Sequence, residues 1–138
     1  MEPDTPCPFC SPAPEDIIAE NELCYARWDR YPASPGHALI IPYRHAEDLF
    51  SLTAEERCAL LALADDVRAV IVSRHSPGGY NIGINIGRIA GQSVMHCHCH
   101  VIPRYPGDAD SPRGGIRGVI RKHRDIRGER RGPGHGEP

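Results

Sequence analysis

Three histidines, His96, His98 and His100, stand at alternate positions in the segment VMHCHCHVIPR. On an extended strand, side chains two apart share a face. The imidazoles would then follow one another along one side, about 7 Å apart. Cys97, Cys99 and Val101 would point the other way, into a core. Aligned imidazoles admit three readings. They are metal ligands, since neutral imidazole is the commonest metal-binding side chain. They are acid–base or nucleophilic groups, since imidazole has a pKa of about 6.5 and an unprotonated nitrogen at neutral pH. Or the spacing is an accident. A second feature that could do chemistry is Cys7-Pro8-Phe9-Cys10 near the N-terminus. Such a CxxC is redox-active, metal-binding or incidental. A redox pair normally opens a helix after a strand, and Pro12 and Pro14 argue against a helix here. There is no second CxxC, so further ligands to a metal must be His or carboxylate.

Positioning such groups takes a scaffold, and its elements are readable. Residues 1–16 are rich in Pro and Cys and read as loop. Ile17-Ile18-Ala19 and Glu22 to Asp29 suggest a hairpin turning near Glu20-Asn21. Arg30 to Gly36 is a Pro-punctuated connection, and His37 to Pro42 a short apolar strand ended by proline. Thr53-Ala54-Glu55-Glu56 fits a capping box, with Thr53 as N-cap and Glu56 at N3. Leu60, Leu63, Ala64, Val67, Val70 and Ile71 then recur at helical spacing until Pro77-Gly78-Gly79 stops the pattern. Tyr80 to Gly87 alternates like a strand, Gly87 to Gly91 is a loop, and Val94 to Arg104 is the clearest strand of all. A strand-rich front, one long helix and two closing strands predict an α+β domain.

The chain has 138 residues and a net charge of −2, with six cysteines and eight histidines. That length suits one domain with one core. From Arg104 onward nine Lys/Arg face five Asp/Glu, a balance of +4, against −6 for the remainder. A basic tail can touch nucleic acid or polyphosphate, but its Gly, Pro and Arg content reads better as a solvated, disordered terminus over 121–138. No apolar run approaches the roughly 20 residues of a membrane span. The acidic start, Met1-Glu2-Pro3-Asp4, is unlike a secretory signal, so a cytoplasmic location is expected. The cysteines are then thiols or metal ligands rather than disulfides, with Cys24, Cys58, Cys97 and Cys99 read as small core residues. His75, His123 and His135 read as solvated.

The segment HCHCHVI resembles the mark of the histidine triad (HIT) superfamily, His-φ-His-φ-His-φ-φ with φ apolar, here with Cys at two of the φ positions. Pro35-Gly36-His37-Ala38-Leu39-Ile40-Ile41-Pro42 is similar to the family's second hallmark, and the likeness spans about Cys7 to Ile120. It implies a HIT domain over 1–120. It also implies an antiparallel sheet with one long and one short helix, and a homodimer that joins its strands into one continuous sheet. By resemblance, His98 attacks the α-phosphate of a nucleotide and becomes nucleotidylated. His100 and His37 offset charge on that phosphate. Gln92 and Ser93 contact the leaving group and bridging oxygen, and the amides of the Gly91 segment can cradle phosphate. Asp29 accepts from the ribose hydroxyls, although alone it is equally a turn residue. Trp28 stacks on a base or fills the core. Asn85 lies near the phosphates or caps a loop. A CxxC-bearing branch of the family binds a structural zinc, which here implies Cys7, Cys10, His45 and His96 as ligands, a closed tetrahedral set.

The implied activity is hydrolysis of dinucleoside polyphosphates of the diadenosine tetraphosphate kind. Tyr105-Pro106-Gly107-Asp108 and Pro112-Arg113-Gly114-Gly115 resemble a bacterial subgroup given that label. Release of an amine from a purine nucleoside phosphoramidate is the rival within the same chemistry. Phosphorylase and nucleotidyl-sugar transferase branches are disfavoured, since their third triad position is Gln and here it is His100. From other classes, an idle nucleotide-binding module or a zinc-structural domain in which every histidine is a ligand would fit part of the pattern. The expected partners are a purine nucleotide or dinucleotide and a second copy of the chain, with no membrane and no nucleic acid.

Overall fold

The computed structural model describes residues 6–120. The chain divides into two compact units, Met1–Tyr105 and Pro106–Pro138. The expectations placed on residues 121–138 lie outside the described residues.

The first unit is an antiparallel five-stranded sheet of β1 (Ala19–Glu20), β2 (Cys24–Trp28), β3 (Ala38–Pro42), β4 (Gly79–Gly83) and β5 (Cys99–Arg104). Its strand order is β1-β2-β3-β5-β4. One long helix, α1 (Ala54–Val72), packs on one face. The capping box is formed as expected: Thr53 Oγ1 accepts from the Glu56 amide, and Glu56 Oε1 accepts from the Thr53 amide. Leu60, Leu63, Val67 and Ile71 are fully buried against Cys24, Ala26, Ile40, Cys97, Cys99 and Val101. Each of these strand residues alternates with one facing away from the helix, as a pleated strand requires. The opposite face carries a smaller cluster, Phe9, Tyr25, Leu39 and Ile41. It also carries the chemistry.

The short helix takes the form of 3₁₀ turns, at Pro14–Asp16, Leu49–Ser51 and Arg88–Ala90. Two strands are shorter than expected. β4 ends at Gly83, opposite His100, rather than at Gly87. β5 enters the ladder only at Cys99, opposite Ile40, although β3 itself runs on to Pro42. A single bond, from the Cys97 amide to the Ala46 carbonyl at 2.7 Å, carries the alignment further back. Alternation survives that loss: Cys97, Cys99 and Val101 are all at most 2% exposed. Cys58, expected in the core, lies on the exposed side of α1. The second unit contains, within its described residues, a 3₁₀ turn at Gly115–Val119.

Arg44 fastens the start of α1 to the segment after β3. Its Nε and Nη2 donate to Glu56 at 2.9 and 2.8 Å. Glu56 is buried, and the Arg44 guanidinium holds its carboxyl down at about 2. His45 is the next residue along, so the same ion pair fixes the chain that carries it.

Candidate functional site

Hydrogen bonds assign a tautomer to His96, His98, His37 and His100, each inferred from a fixed donor or acceptor. His96 Nε2 donates to the Pro42 carbonyl at 2.8 Å, so Nδ1 is unprotonated. His98 Nδ1 donates to the carbonyl of His96 at 2.8 Å, which leaves a lone pair on Nε2. The Ala33 amide donates to His37 Nδ1 at 2.9 Å, so His37 carries its proton on Nε2. That Nε2–H is 2.9 Å from His100 Nδ1 and 3.3 Å from Asp29 Oδ2. His100 Nδ1 therefore accepts, and its Nε2 bears a proton. Side by side, 5.2 Å apart, stand one imidazole with a free lone pair and one with a free N–H. That is the pairing that attack on phosphorus and donation to a phosphate oxygen require.

Burial keeps His100 and His37 neutral. Desolvation first, then the neighbouring His98 and His37, lowers His100 to about 4. His37 is lowered by burial too, with Asp29 opposing in part. Asp29 Oδ2 thus accepts from the neutral His37 Nε2–H, while its 3.8 Å approach to the unprotonated His100 Nδ1 is neither a hydrogen bond nor an ion pair at neutral pH. Asp29 Oδ1 accepts from the Tyr31 amide at 2.9 Å, an Asx turn that fixes the carboxylate.

The depressed His100 couples stability to pH. The unfolded chain takes up a proton at about 6.5 and the folded one only at about 4, so unfolding binds protons between those values. Stability is complete above about pH 6.5 and falls as pH drops toward 4, by up to about 3 kcal/mol from this residue. Urea midpoints measured from pH 7.5 to 4 should fall through that window, and His100→Gln should flatten the fall. Parallel curves for the two proteins would contradict it.

A cavity of about 380 Å³ opens on this face and is lined by Asp29, Asn85, Gly91, Ser93, His98 and His100. His37 lies behind His100, 5% exposed, and acts on the cavity through it. Gln92 does not reach the cavity. It is 3% exposed, its Oε1 accepts from the Gly87 amide, and its Nε2 donates to the Glu47 and Val94 carbonyls. Its role is to tie the 87–94 loop down, and the direct leaving-group contact expected of it is corrected. The amides of Gly91 and Gln92 are likewise already given to Arg88 and Gly87 carbonyls, so they do not cradle a phosphate. Gly91 has φ +104, a conformation only glycine adopts easily, and this turns the loop toward Ser93. Trp28 packs on the core side of the sheet, with the Arg74 guanidinium 5.5 Å over its ring. The base-stacking reading therefore gives way to the core reading.

Pro8, Phe9, Arg27, Arg30, Tyr31, Leu39 and Val94 complete the wall and were missed in the sequence. Arg27 had a signal: it lies two residues before Asp29, whose amide carries the β2–β3 pairing on to the His37 carbonyl, hence on the same face. Phe9 had none, because its place depends on how the CxxC loop folds back.

That loop meets the back of the histidine strand. Cys7 Sγ is 3.3 Å from His96 Nδ1, and Cys10 Sγ is 3.1 Å from His45 Nδ1 and 3.6 Å from His96 Nδ1. All four ligand atoms lie within 4.8 Å of one another. Ligands of a tetrahedral zinc, at about 2.3 Å for sulfur and 2.0 Å for nitrogen, stand about 3.5 Å apart, so the set fits that ion. His96 also presents its unprotonated nitrogen to the thiols, as a ligand must. Asp29, His37 and His100 form a second close group, but the Ala33 amide obliges His37 to keep a proton on the nitrogen a metal would need. Cys97 and Cys99 are pushed by burial up to about 12 and about 11, so they stay thiols and take no part.

Three imidazoles on alternate residues, the first turned into a Cys₂His₂ set and the other two facing a cavity, define a histidine-triad protein. The chain belongs to the HIT family: the HIT domain model matches residues 11–107. It is 38% identical over 110 residues to an AP-4-A phosphorylase of Mycobacterium tuberculosis, covering 79% of this chain and 56% of that relative. The chain therefore spans little more than half the length of that protein. It is 40% identical over 102 residues to the adenosine 5'-monophosphoramidase hnt1 of Schizosaccharomyces pombe, covering 71% and 74%. Among solved structures it is similar to a Zn-bound histidine triad family protein from Mycobacterium smegmatis, with TM-score 0.67, 37% identity and coverage of 76% and 79%.

Proposed function

We propose that the chain is a dinucleoside polyphosphate hydrolase that acts through a nucleotidyl-histidine at His98. The observation that carries this is the tautomer of His98: its Nδ1 proton is held by the His96 carbonyl, so Nε2 is free to attack. The Nε2 lone pair forms a bond to the α-phosphorus, and the bond from phosphorus to the bridging oxygen breaks. The leaving polyphosphate departs with that electron pair. The nucleotidyl-imidazole keeps its Nδ1 proton and is cationic, and the His96 carbonyl stabilises that charge. Water then attacks phosphorus, the bond from phosphorus to Nε2 breaks with its electron pair returning to His98, and the water's protons pass to the released nucleotide and solvent. His100, neutral and donating from Nε2, binds a non-bridging oxygen. Asp29 takes the ribose hydroxyls and Ser93 the leaving side. Cys7, Cys10, His45 and His96 would hold a structural zinc, which when bound fixes the N-terminal loop to the triad strand. The protein works as a homodimer, with the unpaired edge of β4 as the seam. Its signature is twice the chain mass in light scattering.

A second reading, cleavage of nucleoside phosphoramidates, uses the same attack with an amine as leaving group, and similarity to the hnt1 phosphoramidase favours it. The similarity to AP-4-A phosphorylase raises a third, with phosphate in place of water. Turnover on diadenosine tetraphosphate and on an adenosine phosphoramidate, each with and without inorganic phosphate, separates them. The hydrolase should release a mononucleotide from the dinucleotide at a rate that phosphate leaves unchanged. Faster turnover of the phosphoramidate, or a nucleoside diphosphate product, would replace this reading.

A further inference from the structure

Arg27 is a buried charge that the chemistry at His98 leaves unused. It lies on the histidine face of the sheet, in one cross-strand row with Leu39 and His100. Its side chain is only 7% exposed, yet its ion pair among the described residues is long, 3.8 Å from Nη2 to Asp16 Oδ2. That is beyond hydrogen-bonding distance. The same oxygen is shared with Arg30 Nη2 at 3.9 Å. Arginine carries five donors in a planar fork, and a fork that lines the cavity with no hydrogen bond among the described residues is suited to an acceptor brought by a ligand.

Its position says which part of a nucleotide arrives there. With the phosphate at His98 and His100 and the ribose at Asp29, two residues along from Arg27, the base falls over Leu39, against Arg27. Phe9 and Pro8 line the same wall. These apolar surfaces suit a flat base and not a phosphate. Resting on the nucleotide reading above, we propose that Arg27 reads the base edge and makes the site select guanine over adenine. Guanine offers O6 and N7 side by side, two acceptors matched to the guanidinium fork. Adenine puts an amino group where O6 would be, which meets the guanidinium donor to donor and leaves a buried N–H unpaired.

GMP and AMP, titrated calorimetrically into the full chain, test this without any turnover. GMP should bind about 10- to 100-fold more tightly than AMP, the range of a bidentate arginine–guanine pair. Arg27→Met should bring the two within about threefold, and so should Arg27→Lys, which keeps the charge, loses the fork and tolerates the buried site if methionine does not. Equal binding by the unaltered protein, or tighter AMP, overturns the proposal. So does a preference that survives in Arg27→Lys. An equal loss of both nucleotides with the ratio kept moves Arg27 to a phosphate and overturns it also. If neither nucleotide binds, the nucleotide reading falls and takes this one with it.

Discussion

His98→Asn is expected to lower turnover by about 10⁴-fold while nucleotide affinity stays within a few-fold. Asparagine keeps a polar group where the imidazole stood, but it has no lone pair able to form a bond to phosphorus. The reaction then has only binding and charge stabilisation left to it, and losing a covalent nucleophile of this kind costs several orders of magnitude. The environment of His98 argues the same. Its ring is 6% exposed, wedged between Phe9 at 5.1 Å and His100 at 5.2 Å, and its Nδ1 is committed to a backbone carbonyl. A ring that merely bound phosphate would gain nothing from that commitment, since a free Nδ1–H would itself be a useful donor. A second readout avoids relying on rate alone. Substrate labelled at the α-phosphate and quenched in alkali should leave label on the unaltered protein and none on His98→Asn. If the variant keeps even a tenth of the activity, the covalent mechanism is wrong.

His100→Ala is a different case, since His100 donates and does not attack. The two variants should not resemble one another, and the tautomers explain why. The chain of bonds from Ala33 through His37 to His100 orients a donor, whereas the carbonyl of His96 orients an acceptor. The alternation of three histidines was plain in the sequence, because strand pleating maps spacing directly onto sidedness. So was the capping box of α1, because its signals are local. The tautomers were not legible. They depend on Pro42 and Ala33, which the fold brings to the rings from 54 and four residues away. Gln92 was misread for a related reason. A polar residue next to a catalytic strand suggests contact with substrate, but its amide is satisfied by the backbone of its own loop and by the distant Glu47 carbonyl, which no pattern in the residues 91–93 announces. The start of β5 was misjudged because strand propensity continues upstream of Cys99, while the Cys97 amide there bonds the Ala46 carbonyl beyond β3 rather than a residue of the strand. The zinc quartet needed the resemblance as well as the CxxC, since His45 and His96 carry no mark of ligation in themselves.

The chain purified without chelator should contain one zinc per protein, and Cys7→Ser with Cys10→Ser should lose it. Two thiols and two imidazoles within 4.8 Å form a complete ligand set, and such a site stabilises the fold directly, because the unfolded chain cannot assemble it. Its loss should lower the melting temperature by on the order of 10 °C or more. Activity should fall with it, through two connections. The ligand His96 also supplies the carbonyl that holds the His98 tautomer, so an unanchored His96 releases the nucleophile. Phe9, between the two cysteines, packs edge-on against His98 and forms the cavity wall, with its carbonyl bound by the Tyr25 hydroxyl at 2.7 Å. Freeing the loop opens that wall, so KM should rise along with the fall in kcat. A second tightly held zinc would place metal on Asp29, His37 and His100 and refute the tautomer assigned to His37. Absence of zinc from the purified protein, or a double serine variant with unchanged melting temperature, would leave the cysteines incidental. His96 would then serve only as the backbone acceptor for His98.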